Sequence, residues 1–155
     1  STLFPYTTLF RSPLNITSGA YTMSASSTYP SSQYQVNYAF SETTHEWAAN
    51  EQTVNAWISV TFPHTAKIWK IQLQGRLTSA NEHFDGFNFQ GSNDASSWTT
   101  IYTAADEIST TLLSYDIPSY STNYKHYRFF FPRSHGPGNA GLTRARMYPL
   151  AEFEI

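Results

Sequence analysis

The five histidines, His45, His64, His83, His126 and His135, are scattered along the chain, and no pair stands at the H-E-x-x-H spacing that brings two imidazoles to one metal. No G-x-S-x-G elbow and no glycine-rich phosphate loop occurs, so neither an activated serine nor a phosphate cradle is on offer. Asp85, Asp94, Asp106 and Glu107 fall at expected strand edges and turns, where carboxylates are solvated, and position alone makes no acid–base pair of them. What the sequence does carry is a donor-rich bend, in which Arg133, His135 and Asn139 flank Gly136-Pro137-Gly138 within a long loop. Guanidinium, imidazole and carboxamide groups on a loop can hold a polar ligand without turning it over. The chemistry on view is therefore recognition, and the expected protein is not an enzyme.

Loops hold geometry only on a rigid frame, and the intervening sequence reads as strands. Val54–Phe62 alternates Ile58, Val60 and Phe62 against Trp57, Ser59 and Thr61, the period of a half-buried strand. Lys67–Gln74 sets Trp69, Ile71 and Leu73 against Lys70, Gln72 and Gln74, and Gly75 ends it. Phe84–Gly91 carries Phe87 and Phe89 on one face; the turn formers SNDASS follow, and Trp98–Thr103 resumes extended chain as a hairpin. Leu112–Ile117 stops at Pro118 and Tyr124–Phe131 at Pro132, while a short strand is expected near Tyr21–Ser26. Residues 132–149 read as one long loop before a closing strand, Leu150–Ile155. Short strands separated by turns predict an all-β fold, an antiparallel sandwich or barrel.

Composition agrees. The chain has 155 residues, enough for one domain. Charged residues are 13%, about half the usual share, and 11 Tyr, 11 Phe and 4 Trp suit strands. A net charge of −2 supplies no basic field for nucleic acid or anionic lipid, and no apolar run is long enough for membrane insertion. The absence of cysteine excludes a disulfide framework, thiolate zinc sites and cysteine nucleophiles. Residues 2–12, TLFPYTTLFRS, match the in-frame translation of a widely used DNA-sequencing adapter. Residues 1–12 are accordingly expected to be non-native, the domain to be 13–155, and the natural N-terminal portion to lie upstream. Asn15-Ile16-Thr17 fits a glycosylation sequon, a triplet too common to carry weight.

Several strings, in order, resemble one family. VNAWISVTFPHTAKIWKIQLQGR resembles a tryptophan strand that turns into a strand ending in Gly-Arg; FDGFNFQGSNDASSWTTIYT resembles a strand delivering Gly-Ser-Asn-Asp, a turn and Trp; YKHYRFFF resembles a Tyr-Arg strand, and LAEFEI a closing strand with an internal glutamate. The family is the discoidin family, also called the coagulation factor V/VIII type C domain. The resemblance implies a galactose-binding-like β-sandwich, a jelly roll of about eight main strands. Asn93-Asp94 can cap their own turn, and Trp57, Trp69, Trp98, Tyr127 and Arg128 are expected to be structural, so that Trp98→Ala should cost about 3–5 kcal/mol.

The resemblance also implies a function. Its galactose-binding members use His, Arg and Asn with an aromatic, and by position these fall on His45, Arg76 and Asn81. His83, Arg133, His135 and Asn139 are expected at the same end of the sandwich, and Tyr29 or Tyr34 as the exposed aromatic on which a pyranose lies. Arg76→Ala should then abolish sugar binding with little loss of folding. A loop that in relatives often holds structural calcium corresponds to Ala39–Trp47, where Ser41 stands in place of Asp; Ser41, Glu42 and Glu152 are the candidate Ca2+ ligands, against a metal-free loop as the alternative. The implied protein is a non-catalytic carbohydrate-binding and adhesion module, extracellular or virion-associated, from a secreted bacterial protein or a phage tail or fibre. It would act as a homo-oligomer or as part of a larger parent. The competing reading is a structural or protein-interaction domain of a virion or surface assembly without a sugar site.

Overall fold

The alternating runs at 54–62 and 67–74 are one continuous strand. A computed structural model describes residues 5–9, 12–118 and 122–154, with side chains over 12–118 and 122–150. The described chain forms β1 (Pro5–Leu9), β2 (Thr22–Ala25), β3 (Trp47–Ala48), β4 (Val54–Gly75), β5 (Phe84–Ser92), β6 (Thr99–Ile108), β7 (Leu113–Asp116), β8 (Tyr124–Arg133) and β9 (Gly141–Glu154), with 3-10 turns at Ile16–Ser18 and Val36–Phe40. Every strand pair is antiparallel. The all-β antiparallel sandwich expected from the sequence is the observed architecture.

β4 belongs to both layers. Its first half pairs with β2 and β8, and β8 continues through β5 to β6; its second half pairs with β9 and β7. Between them the register shifts from Thr61 to Ala66, at the exposed Pro63-His64-Thr65. β9 also pairs with β3 and, at its far end, with β1. No helix among the described residues is long and apolar enough to cross a membrane.

Inward-facing residues of both layers form an aromatic core. Ile58, Val60 and Phe62 are buried as their alternation predicts, and Phe84 stacks on Phe131 at 4.1 Å between centroids. Each such side chain contributes about 1.5–3 kcal/mol by leaving water. The tryptophan at the centre is Trp47, fully buried, with its indole N–H donating to the Ser27 carbonyl at 3.1 Å. Trp57, Trp69 and Trp98 are only part-buried. A register shift between Ile68 and Lys70 turns Ile68 inward and leaves Trp69 at the margin, which the strict alternation at 67–74 does not foresee. Trp98 lies under the Arg128 guanidinium at 4.3 Å on the outer face, so its expected place in the core is corrected.

The expected loop at 132–149 is also corrected. It spans only the stretch from β8 to Gly141, where β9 begins. Thr143, Ala145 and Met147 face inward, with Arg144 and Arg146 part-exposed between them. This is period-two alternation carried by small and polar residues, which a hydrophobic pattern search passes over. Asp94 caps the 92–97 turn as expected, its Oδ1 accepting the N–H groups of Ser96 and Ser97; Asn93 instead accepts the N–H of Lys125.

Candidate functional site

Gly75 ends β4 against the end of β6. Its N–H donates to the Ser109 carbonyl at 2.6 Å, and a Cβ at this position would collide with the Ile108 carbonyl oxygen. Only glycine allows that approach. The next residue, Arg76, is thereby delivered into the end of the sandwich and buried.

Its guanidinium is held from two sides. Arg76 Nε donates to Glu46 Oε1 at 3.0 Å, and Nη1 donates to Glu82 Oε2 at 2.5 Å and to the Asn139 carbonyl at 2.8 Å. The Tyr34 ring lies 5.1 Å from Cζ, and Tyr29 meets Tyr34 edge to face at 5.4 Å. Glu46, immediately before β3, accepts further bonds from Leu77 N–H (2.9 Å), Thr78 N–H (3.3 Å) and Thr143 Oγ1 (3.2 Å), and a short one from Thr78 Oγ1. Burial pushes its carboxyl pKa up, but the hydrogen bonds from Thr78 and Arg76 outweigh burial and hold it below the ordinary 4.5. Glu82 accepts the Asn139 N–H at 3.0 Å, and Asn139 Oδ1 accepts the Glu51 N–H at 2.8 Å. Gly138, at φ +111°, takes the left-handed turn that lays this loop against Glu82.

Tyr29, Tyr34, Ala48, Arg76, Glu82 and Asn139 line an open concavity of about 210 Å³. It presents aromatic surface on one wall and planar donors and acceptors on the other. Arg76 Nη2 makes no hydrogen bond among the described residues. Of the residues expected from the sequence, Arg76, Asn139, Tyr29 and Tyr34 are thus brought together.

Others are not. Asn81 is exposed in the turn closed by the Glu82 N–H to Ser79 carbonyl bond and lies outside the concavity; its neighbour Glu82 points in instead. His45 is exposed, tilted against Tyr38 at 4.9 Å, and borders an adjacent hollow that shares only Tyr34 with the first. Arg133 pairs through its backbone with Val54 and lines a separate groove with Asp85 and Gly86. His83 and His135 stack on each other at 4.4 Å, beside Asp85 and Glu107 rather than beside Arg76. Glu46 and Glu82 are what sequence reasoning misses. Neither stands at a spacing that marks it in the sequence.

Glu42 and Ser41 are both engaged within the chain. Glu42 accepts both Arg146 Nε (2.6 Å) and Nη2 (2.5 Å), with Arg144 Nε at 3.6 Å. The Arg146 hydrogen bond, above all, holds the Glu42 carboxyl below its ordinary pKa. Ser41 Oγ is bonded to the Tyr38 carbonyl and to Thr43 Oγ1. A divalent cation here would face two guanidiniums, so Ser41 and Glu42 do not fit calcium; the Glu152 side chain lies outside the described residues. Acidic residues do gather with histidines, but at His83, Asp85, Glu107 and His135. A larger cavity, about 590 Å³, lies away from Arg76 among Pro13, Leu14, Tyr21, Phe62 and Pro149, with Asn15, His64 and Lys67 also on its lining.

The profile of the F5/8 type C domain family matches residues 22–140, most of the chain. The chain belongs to the F5/8 type C domain family. A search of curated protein sequences finds no match. Among solved structures, this F5/8 type C domain is similar to CpGH89CBM32-5 from Clostridium perfringens, in complex with GalNAc-beta-1,3-galactose, at 17% identity and TM-score 0.75, over 88% of this chain and 99% of that one. It is similar to the family 32 CBM of C. perfringens NanJ, in complex with galactose, at 16% identity and TM-score 0.70, over 83% and 93% of the two chains. A third is chitosan-binding module 2 of a chitosanase/glucanase from Paenibacillus sp. IK-5, in complex with chitotriose, at 19% identity and TM-score 0.69, over 83% and 96%. The last of these is by its name a chitosan-binding module, and the first two are family 32 CBMs.

Proposed function

We propose that this domain is a non-catalytic carbohydrate-binding module whose site is the concavity of Tyr29, Tyr34, Arg76, Glu82 and Asn139. The carrying observation is the Arg76 guanidinium, fixed by two carboxylates against an aromatic pair at the mouth of an open pocket. Guanidinium N–H groups donate to vicinal sugar hydroxyls, the Glu82 carboxylate and the Asn139 amide oxygen accept from them, and a tyrosine ring covers the C–H face of the pyranose. Because the donors are already oriented, little ordering entropy opposes binding. Galactose-type sugars are the first candidates, supported by the galactose and GalNAc-galactose bound to two of the similar structures.

A single shallow site of this size binds weakly, and display in several copies raises avidity through effective concentration. Attachment outside the cell, within an oligomer, a larger secreted protein or a virion, is the setting that reading requires. The test is a glycan array probed with residues 13–155 presented multivalently, as wild type and as Tyr34→Ala, in calcium and in EDTA. Galactose-terminated hits that Tyr34→Ala loses and EDTA leaves intact support the site. Silence of the wild type under both conditions overturns the reading and leaves an assembly domain without a sugar site, whereas hits unchanged in Tyr34→Ala overturn the assignment of the site to this concavity.

A further inference from the structure

Beside the Arg76 pocket, four side chains from three elements converge. His83 and Asp85 open β5, Glu107 stands opposite Asp85 in the register of β5 with β6, and His135 comes from the bend after β8. The backbone fastens the bend there: the His135 N–H donates to the His83 carbonyl at 2.8 Å, and Phe84 bridges Ser134. One ligand atom from each of the four lies within 4.8 Å of every other.

The buried member is His83, whose side chain is 7% exposed. Its Nδ1 bonds the Ala80 carbonyl at 2.9 Å, and since a carbonyl only accepts, Nδ1 carries the proton. In the neutral ring Nε2 then points its lone pair into the cluster, and it is buried there with no hydrogen-bond partner. Asp85 Oδ1 at 3.6 Å and Glu107 Oε2 at 3.7 Å are too far to bond it. A buried acceptor facing two carboxylates is unfavourable, and so are two like charges directly opposite on paired strands. One cation between them relieves both.

We propose that His83 Nε2, His135 Nδ1, Asp85 and Glu107 bind one divalent transition-metal ion of the zinc class. The Nδ1–H to carbonyl bond of His83 is the outer-shell contact that fixes an imidazole for metal ligation. Bonds of about 2.0–2.2 Å to a tetrahedral zinc place ligand atoms roughly 3.4 Å apart. The nitrogen–oxygen separations here are 3.1, 3.6, 3.6 and 3.7 Å. The 3.6 and 3.7 Å separations that involve Glu107 close by rotation of that exposed side chain, and the His83–Asp85 pair at 3.6 Å already stands close to the required spacing. His135 Nδ1, now 3.1 Å from Asp85 Oδ2, gives up its proton to solvent when the metal takes that position. Two imidazoles with two carboxylates suit zinc and its neighbours, whereas calcium asks for six to eight oxygens. The ion would fasten β5 and β6 to the same loop that delivers Asn139 to the Arg76 pocket.

The test uses the full chain without a histidine tag, stripped with EDTA and then titrated with zinc chloride by calorimetry, with metal counted after dialysis. The expected result is one zinc per chain and, with cobalt(II) in its place, the visible absorption of a tetrahedral ion. His135→Ala and, independently, Glu107→Gln should each weaken zinc binding at least about tenfold. Both alter exposed side chains, and unchanged denaturation midpoints in EDTA establish that they fold. Absence of stoichiometric zinc binding in the wild type, or binding unchanged in both variants, would overturn the proposal.

Discussion

Two charged clusters meet at one end of the sandwich, joined through Glu82-His83 and through the loop from His135 to Asn139. Around Arg76 both carboxylates, Glu46 and Glu82, have a guanidinium, and most polar atoms are bonded within the chain. Around His83 two carboxylates face each other with neither lysine nor arginine paired to them among the described residues, only the half-exposed His135 ring, and one buried nitrogen has no partner. A network satisfied internally is a scaffold, whose loss is felt by the fold. A network left open spends little on the fold and is answered by something from outside.

The largest expected effect follows from the closed cluster. Arg76→Ala strips from buried Glu46 the only cation paired with it among the described residues and should cost about 3–5 kcal/mol in urea denaturation, together with sugar binding. This replaces the expectation of a binding-only phenotype; a loss below about 1 kcal/mol would make Arg76 a free ligand group and erase the contrast.

Next is acid. Glu46 has a lowered pKa, so the folded protein binds fewer protons there than the unfolded chain. Its contribution is complete above the ordinary 4.5 and is lost as pH falls through the lower native value. Between about pH 6 and about pH 3, wild type should lose more stability than Glu46→Gln, and parallel curves would contradict the assignment.

Trp98, outside both clusters, sets a baseline. Its ring lies on Arg128 and not in the core, so Trp98→Ala should cost about 0.5–1 kcal/mol, well under Trp47→Ala at about 3–5. The smallest effect belongs to the open cluster. His135→Ala in EDTA should stay within about 0.5 kcal/mol of wild type, because His135 is half exposed and ends no buried bond. A large loss there would show that the histidine cluster is itself scaffold.

The fold was legible because its strands announce themselves. Ile58, Val60, Phe62, Phe87 and Phe89 alternate cleanly, and the Asp94 turn follows from local side-chain chemistry. β9 was not, since Thr143 and Ala145 fill inward positions that hydrophobicity does not mark. The site was legible in part. Arg76 stands beside a glycine break, and Asn139 beside a glycine bend, both local signals. Glu46 and Glu82 reach Arg76 across 30 and 6 residues of chain, and the cross-strand pair of Asp85 with Glu107 depends on register. Such long-range pairing is decided by the folded frame and leaves no spacing to read. The partner of Glu42 was hidden for the same reason: Arg146 comes to it from β9, 104 residues on.

The most direct measurement is a two-dimensional 15N–1H titration of the protein with galactose. A site in the Arg76 concavity predicts shifts confined to the Tyr29, Tyr34, Leu77 and Asn139 amides and the Arg76 side-chain Nε–H. Shifts centred on Trp57, Trp98 and Arg128 on the outer sheet face, or none at saturating sugar, would contradict it.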